Sequence, residues 1–216
     1  MHEAKLVWIT PDAEKLIGKI ARVSNPNNED NPNVEGLLKY LIRNGHWSPF
    51  EMASLCVEIQ TTRAISPQIL RHRSFSFQEF SQRYAVAMDL DLPHLRRQDT
   101  TNRQNSIDDL NVAVQDRLQH SINKHFEESK ALYNKLLGHG VAKECARSVL
   151  PLNTTTRLYM SGTIRSWLHY CDLRAWHGTQ WEHTKIALNC MEILKENVPT
   201  VANAMWPTDS QSGDVV

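Results

Sequence analysis

An alternating run of apolar and polar residues constrains the fold of this chain most. Leu55, Val57 and Ile59 alternate with more polar neighbours, which is the pattern of a half-buried β-strand. Strands are also predicted at residues 5–9 and 154–162, and helices at residues 11–23, 34–44, 66–71, 107–137, 143–150, 164–175 and 180–197. The helical segments exceed the strands, so we predict an α+β domain with more helix than sheet.

Local signals set the expected boundaries of these elements. Thr10 followed by Pro11 predicts the start of the first helix, because Pro is favoured at the first helical position after a capping residue. Residues 90–105 are polar and charged and are predicted to form a loop. Residues 208–216 are predicted to be a disordered tail, which leaves residues 1–207 as one domain.

The charge balance and the cysteines narrow the function classes. In 216 residues, 24 Lys and Arg balance 24 Asp and Glu, so the chain lacks the basic excess of a general nucleic-acid binder. The four cysteines include no C-x-x-C pair, and we expect neither a metal site nor a disulfide framework. No stretch resembles a signal peptide or reaches the ~20 apolar residues of a membrane span. We therefore expect a cytoplasmic protein.

Residues 71–84, with the sequence RHRSFSFQEFSQRY, are the most informative segment and are called the signature segment below. They place Arg71, Arg73 and Arg83 among serines and four aromatic residues. Arginine offers five donors in a rigid fork that matches phosphate oxygens, so the segment suits an anion site. We expect the aromatic residues to anchor it to a core or an interface. The alternative is a solvated basic face paired with Glu79 and other acids.

Two downstream segments carry further arginines. Arg147 lies in an amphipathic segment, where on its own it would be a solvated helix arginine. Arg165, His169 and Arg174 are four and five residues apart, which places them roughly along one side of a helix. Tryptophans lie nearby, and an arginine buried beside them needs an anion or a carboxylate. The acids that would serve in a purely structural arrangement are Asp172 and Glu182.

Three ordered motifs resemble those of the flavin-dependent thymidylate synthases. The matches are RHR at 71–73 with SQRY at 81–84, H-x-S-P-F-E at 46–51, and Arg147 with LPLN at 150–153 followed by Arg165 and Arg174. The resemblance covers about residues 15–200, nearly the whole chain. Because the sequence has no dinucleotide fingerprint or Walker loop, a flavin is not expected to bind through a Rossmann half.

The resemblance implies a fold, a reaction and an assembly. The implied fold is a single domain with a twisted, mostly antiparallel sheet flanked by helices. The implied reaction is the reductive methylation of dUMP to dTMP. Methylenetetrahydrofolate donates the carbon, FAD reduced by NADPH supplies the reducing equivalents, and tetrahydrofolate is released. The implied assembly is a homotetramer whose active sites are shared between subunits. No cysteine lies in the signature segment, which is consistent with a mechanism that needs no cysteine nucleophile.

The resemblance also implies roles for the matching residues. Arg174 is the expected catalytic residue, since its charge would face the uracil ring and stabilise the negative charge that develops there. The residues expected to bind dUMP are Gln68, Glu79, Ser81, Gln82, Arg83, Arg147 and Arg174, with Ser81, Arg83 and Arg147 around the phosphate. The residues expected to bind FAD are His46, Ser48, Glu51, Arg71, His72, Arg73, Arg165 and His169.

Three positions depart from the family pattern, and two other functions compete. Gln82 replaces a common Gly, while Thr163 and His169 replace Asn at positions expected to border the flavin.

One competing hypothesis is a nucleic-acid binding module that uses the signature segment as an arginine–aromatic strip, against which the zero net charge argues. The other is a degenerate family member that binds nucleotide without turnover, against which the retained arginines argue.

Overall fold

A four-stranded antiparallel sheet forms the centre of the molecule. The computed structural model describes residues 1–87, 89–176 and 178–207. In chain order the strands are β1 (Glu3–Ile9), β2 (Ser54–Thr62), β3 (Ser76–Glu79), β4 (Arg97–Gln98), β5 (Ser106–Ile107) and β6 (Thr155–Thr163). The central sheet has the order β1-β2-β6-β3 with antiparallel neighbours throughout, while β4 and β5 form a separate hairpin.

The alternating run of the sequence is the interior strand β2, which pairs with β6 along its whole length. Its apolar residues are fully buried, and they meet apolar partners on the neighbouring strand. Val57 lies opposite Met160, and Ile59 lies opposite Leu158. Such cross-strand pairs stabilise a sheet and fix its register, because a shift by one residue would turn every apolar side chain to the other face.

Helices cover the sheet and complete one continuous hydrophobic core. They are α1 (Ala13–Ala21), α2 (Glu35–Arg43), α3 (Ser66–Ile69), α4 (Val112–Gly138), α5 (Lys143–Ala146), α6 (Ile164–Arg174), α7 (Trp181–Asn197) and α8 (Pro199–Met205). On α7 the buried residues Ile186, Ala187, Cys190, Met191 and Leu194 recur at helical spacing. The core extends from Ala13 to Trp206, and the predicted α+β class with an antiparallel sheet is confirmed.

The predicted start of the first helix is wrong. Thr10 does not cap α1, because its hydroxyl is bonded to the backbone of Ser54, donating to the carbonyl oxygen at 3.2 Å and accepting from the amide at 2.9 Å. This contact ties the end of β1 to the start of β2. The helix begins only after Asp12, which has a left-handed backbone conformation with φ 48°. A tertiary contact has therefore replaced the local capping signal.

Three further boundaries differ from the sequence prediction. The predicted loop at residues 90–105 contains β4, and the predicted helix at 107–137 begins later because Ile107 belongs to β5. Asn111 caps α4 by accepting hydrogen bonds from the amides of Ala113 and Val114. The predicted helix at 143–150 is α5 followed by a short 3-10 turn.

A strand and a helix were absent from the sequence prediction. Strand β3 lies inside the signature segment, and α8 starts at Pro199, where proline occupies the first turn of the helix. The predicted tail at 208–216 lies outside the described residues. None of the helices described is both long and apolar enough to cross a membrane.

Candidate active site

The signature segment crosses from the end of α3 to the edge strand β3, and its aromatic rings hold it to the core. Phe75 meets Trp167 edge-on with ring centroids 4.9 Å apart. The ring of Phe75 also covers Gly162 of β6, where an added Cβ would lie 2.5 Å from the ring. Tyr84 differs from the expected anchor, since it is 86% exposed and does not pack in the core of this chain.

One cavity of about 410 Å³ collects residues from the signature segment, the end of α6 and the start of α7. Its lining residues are Gln68, Arg71, Gln104, Arg174, Gly178, Thr179 and Gln180. The sequence predicted three of these as site residues, namely Gln68, Arg71 and Arg174, and the structure brings those three together. Gln104 was missed because it lies in the β4–β5 hairpin, far from any recognised motif.

Arg174 is held by a neutral histidine instead of a carboxylate. Its Nε donates to Nε2 of His72 at 3.0 Å. Burial, and then the charge of Arg174, lower the pKa of His72, so the imidazole accepts this bond in its neutral form. A neutral partner orients the guanidinium without cancelling its positive charge. The charge therefore remains available to an anionic group in the cavity.

A buried aromatic and histidine cluster lies behind this pair. His72 meets Tyr170 edge-on at 4.9 Å, and His183 Nε2 lies 3.1 Å from the Tyr170 hydroxyl. His183 and Tyr170 are almost completely buried. Burial, followed by the positive charge of Arg174, lowers the pKa of His183 to about 3. The cluster therefore supports Arg174 with neutral groups.

A second cavity, of about 460 Å³, holds other residues predicted to bind dUMP. It is lined by Ser81, Arg83, Tyr84, Ala142, Lys143 and Glu144. Arg83 forms an exposed ion pair with Glu144, with nitrogen and oxygen 3.1 Å apart. Gln82, between Ser81 and Arg83, is buried, and its Nε2 has no hydrogen-bond partner among the residues that the structure describes. An orphaned buried donor beside an arginine is a group that an anion could satisfy.

The predicted dUMP residues thus divide between two cavities that share no lining residue. Arg147 follows α5 directly and lines neither cavity. Glu79 also lines neither cavity, and its carboxylate is bonded to side chains outside β3. It pairs with Arg63 at 2.9 Å and accepts hydrogen bonds from Ser66 and Thr156 at 2.6 and 3.0 Å. A direct contact of Glu79 with dUMP stays a prediction.

Residues predicted to hold the flavin lie at two places. Ser48 and Glu51 form a short 3-10 turn next to α6, where Glu51 pairs with Arg165. His169, one turn along α6, lies 5.1 Å from Trp47 between ring centroids. His46, the first residue of the same motif, is exposed and meets the ring of Tyr40 edge-on. Arg71, His72 and Arg73 are grouped at the turn after α3.

Two arginines of the signature segment lack acidic partners. Within the described parts of the chain, neither Arg71 nor Arg73 forms an ion pair or a side-chain hydrogen bond. The alternative of a basic face paired with acids is therefore wrong for these two arginines. The expectation that Asp172 and Glu182 would pair with the downstream arginines is also wrong. Asp172 lies 3.4 Å from the indole nitrogen of Trp206, and Glu182 pairs with Arg96.

The three departures from the family pattern have local explanations in two cases. Thr163 is the N-cap of α6, accepting a hydrogen bond from the amide of Ser166, a role that Thr and Asn share. Glycine is favoured where φ is positive, but Gln82 does not have positive φ. Among the described non-glycine residues, only His2 and Asp12 do. A residue other than glycine therefore fits at this position. His169 is exposed, and nothing in the structure explains its identity.

The sequence and the fold of this chain match a known class of nucleotide enzyme. A family model described as "Thymidylate synthase complementing protein" matches residues 5–200. The chain belongs to this family, the flavin-dependent thymidylate synthases, and the resemblance inferred from the sequence is confirmed.

Individual relatives cover nearly the whole chain. The chain is 54% identical to a flavin-dependent thymidylate synthase of Synechocystis sp. over 192 residues, 89% of each protein. It is 50% identical to a probable flavin-dependent thymidylate synthase of Paramecium bursaria Chlorella virus 1, over 94% of this chain and 98% of the relative. A crystal structure of the UMP/dUMP methylase PolB from Streptomyces cacaoi, bound with 5-Br dUMP, matches with a TM-score of 0.82 at 25% identity, over 93% of each chain.

Proposed function

We propose that this chain is a flavin-dependent thymidylate synthase that methylates dUMP to dTMP. In this proposal methylenetetrahydrofolate donates the carbon and becomes tetrahydrofolate, while NADPH reduces the bound FAD. The close relatives named above carry this activity in their names. Because the cosubstrates are charged and diffusible, we place the reaction in the cytoplasm.

The observation that carries the proposal is the position of Arg174 in the first cavity. An arginine held by a carboxylate is largely neutralised, whereas Arg174 is held at 3.0 Å by the neutral ring of His72. A preorganised cation of this kind stabilises an anion that develops during a reaction, and it needs no reorganisation when the charge appears. In the proposed reaction, that anion is the uracil ring as its carbon 5 becomes nucleophilic.

The donor set fits a bound FAD. Arg71 and Arg73 are cations without acidic partners in the described residues, and a diphosphate is the anion that such donors recognise. We assign them, with Arg165 and His72, to the flavin's phosphates and ring, together with Ser48, Glu51, His46 and His169. The flavin, when bound, supplies the hydride chemistry that turns the transferred carbon into a methyl group. The protein's own part is to bind, to orient and to exclude water.

The separation of the two cavities supports an assembled active site. Ser81 and Arg83 line one cavity, whereas Gln68 and Arg174 line the other. One nucleotide has a phosphate at one end and a base at the other, so it needs both groups at once. We propose that a homotetramer brings the phosphate-binding group of one subunit to the base-binding group of another.

A visible absorption spectrum tests the proposal directly. The purified, FAD-loaded protein should show flavin bands that bleach under anaerobic NADPH, and dTMP should form when dUMP and methylenetetrahydrofolate are added. The matched control omits only dUMP, which separates flavin reduction from methyl transfer. A protein that takes up no FAD, or that reduces FAD but forms no dTMP, would refute the assignment.

A further inference from the structure

We infer that Glu182, through a chain of hydrogen bonds, sets the orientation of the Gln68 amide and thereby makes the site select uracil over cytosine. Glu182 would be a positioning residue, since it acts on the base only through Gln180 and Gln68. The inference rests on the proposed function in one respect, namely that Gln68 faces the pyrimidine of dUMP. Neither Glu182 nor its partner Arg96 belongs to the three motifs matched in the sequence.

The chain of hydrogen bonds starts at a buried ion pair between Glu182 and Arg96. Glu182 is 8% exposed, and both of its carboxylate oxygens accept from Nη2 of Arg96, at 2.9 and 3.0 Å. Arg96 belongs to the segment that leads into the β4–β5 hairpin, and its guanidinium lies over the ring of Trp181 at 5.4 Å. An ionised carboxylate can only accept hydrogen bonds. Any group that touches Glu182 must therefore present a donor.

Each link then fixes the next. The amide nitrogen of Gln180 donates to Glu182 at 2.9 Å, which leaves the Gln180 oxygen to accept from the Gln68 nitrogen at 2.7 Å. The oxygen of Gln68 then faces Nδ1 of His183 at 3.4 Å, and Nε2 of His183 faces the Tyr170 hydroxyl at 3.1 Å. An amide has its acceptor at one end and its donors at the other. A single carboxylate thus determines both amide orientations and places the His183 proton on Nδ1.

The orientation of Gln68 matters because Gln68 and Gln180 both line the first cavity, whereas His183 is fully buried. The nitrogen end of the Gln68 amide therefore lies on the Gln180 side, toward the cavity, with its second hydrogen uncommitted. Uracil presents a carbonyl at position 4 beside an N–H at position 3, and cytosine presents an amine beside a bare nitrogen. An amide of fixed orientation complements one of these edges and opposes the other.

The isosteric substitution E182Q should exchange donor and acceptor at each hydrogen bond from residue 182 to His183. The new side chain has one oxygen and one NH₂ group, and Arg96 can only donate. Nη1 of Arg96 is also buried and has no acceptor within the described part of the chain. The Arg96 guanidinium will therefore hold the single oxygen of the new side chain. The NH₂ group then faces Gln180, whose amide must turn to accept from it. Gln68 turns in response, and His183 receives its hydrogen bond on Nδ1 and carries its proton on Nε2.

The first readout needs no turnover and no flavin chemistry. Long-range proton–nitrogen spectra of protein with ¹⁵N-labelled histidine report which ring nitrogen of His183 carries the proton, and H183Q identifies its signals. We expect Nδ1–H in the wild-type protein and Nε2–H in E182Q. A proton that stays on Nδ1 in E182Q overturns the inference.

The second readout is base discrimination by the FAD-loaded protein. We expect the ratio of the dCMP dissociation constant to the dUMP dissociation constant to fall by about tenfold or more in E182Q, because one base edge is exchanged for the other. General damage to the site would weaken both nucleotides alike and leave the ratio unchanged. An unchanged ratio therefore also overturns the inference.

Two further variants keep the test decisive. D109N is the matched control, since it removes the same kind of charge from the exposed pair that the neighbouring Arg97 forms with Asp109 at 2.6 Å. It should leave both readouts at wild-type values.

If E182Q does not fold, Q180L interrupts the hydrogen-bond chain at an exposed residue and keeps the ion pair. Q180L should also lower the ratio of the dCMP to the dUMP dissociation constant and give His183 a mixture of both tautomers. Wild-type protein that forms no dTMP would refute the proposed function, whereas the His183 spectra judge the chain independently.

Discussion

Replacing Arg174 tests the central electrostatic argument. In the structure Nε of Arg174 is committed to His72 at 3.0 Å, and its other guanidinium N–H groups form no hydrogen bond with the described residues, so they can serve the cavity. R174A removes these donors together with the only charge we assign to the reacting ring. R174K keeps the charge but has a single nitrogen, which cannot bond to His72 and reach the cavity in the same way.

The expected loss follows from the nature of the interaction. Removing one preorganised group that meets a developing negative charge lowers kcat by about 100- to 1000-fold, or roughly 2.7–4 kcal/mol. The effect should be concentrated in kcat, because the charge appears on the ring mainly in the transition state. Arg71 and Arg73 remain in R174A, so the flavin content should be close to that of the wild-type protein.

The assay is dTMP formation at saturating dUMP and folate, with the flavin content measured from the visible spectrum of the same sample. R157A is a suitable control, since Arg157 is an exposed β6 arginine in a loose ion pair with Glu58, with nitrogen and oxygen 4.0 Å apart. R174K should recover only a small part of the lost rate. If R174A kept kcat within about threefold of R157A, the role given to Arg174 would be wrong.

Two stability predictions follow from buried groups. The folded-state pKa of His183 is about 3, below its ordinary value of 6.5, so the unfolded chain binds the proton first and stability falls as the pH drops from about 6.5 toward 3. H183Q should reduce this slope by up to about 1.4 kcal/mol per pH unit, measured by urea denaturation at several pH values, and an unchanged slope would contradict the assignment. G162A should lower the free energy of unfolding by about 1–3 kcal/mol, because the new methyl group would overlap the Phe75 ring. Urea denaturation of G36A, at an open position on α2, provides the comparison, and equal stability of the two variants would refute the overlap.

Much of the fold could be predicted because its signals are local. The alternation at Leu55, Val57 and Ile59 predicted β2, and the apolar spacing after Gln180 predicted α7. The start of α1 could not be predicted in this way, because Thr10 forms a bond to Ser54, 44 residues away, and local rules contain no such partner. Short β3 and the β4–β5 hairpin depend on pairing with distant residues and carry little pattern of their own.

The site shows the same limit more strongly. The arginines of the signature segment could be picked out because their type and order are unusual, and family motifs gave them roles. Their surroundings could not, since His72 meets Arg174 across 102 residues and Arg96 meets Glu182 across 86. Glu182 looked like a possible neutralising partner for the downstream arginines, and the structure gives it a different one.

The ion pair between Arg83 and Glu144 has a consequence for which ligands can enter. Both side chains are exposed, so their pairing contributes little stability and can be exchanged at low cost. A phosphate that takes over Arg83 offers two oxygens to the guanidinium and displaces the carboxylate. A nucleoside without a phosphate has nothing to exchange for Glu144. If Arg83 holds the phosphate as proposed, dUMP breaks this ion pair on binding, whereas deoxyuridine leaves it intact and the phosphate site closed.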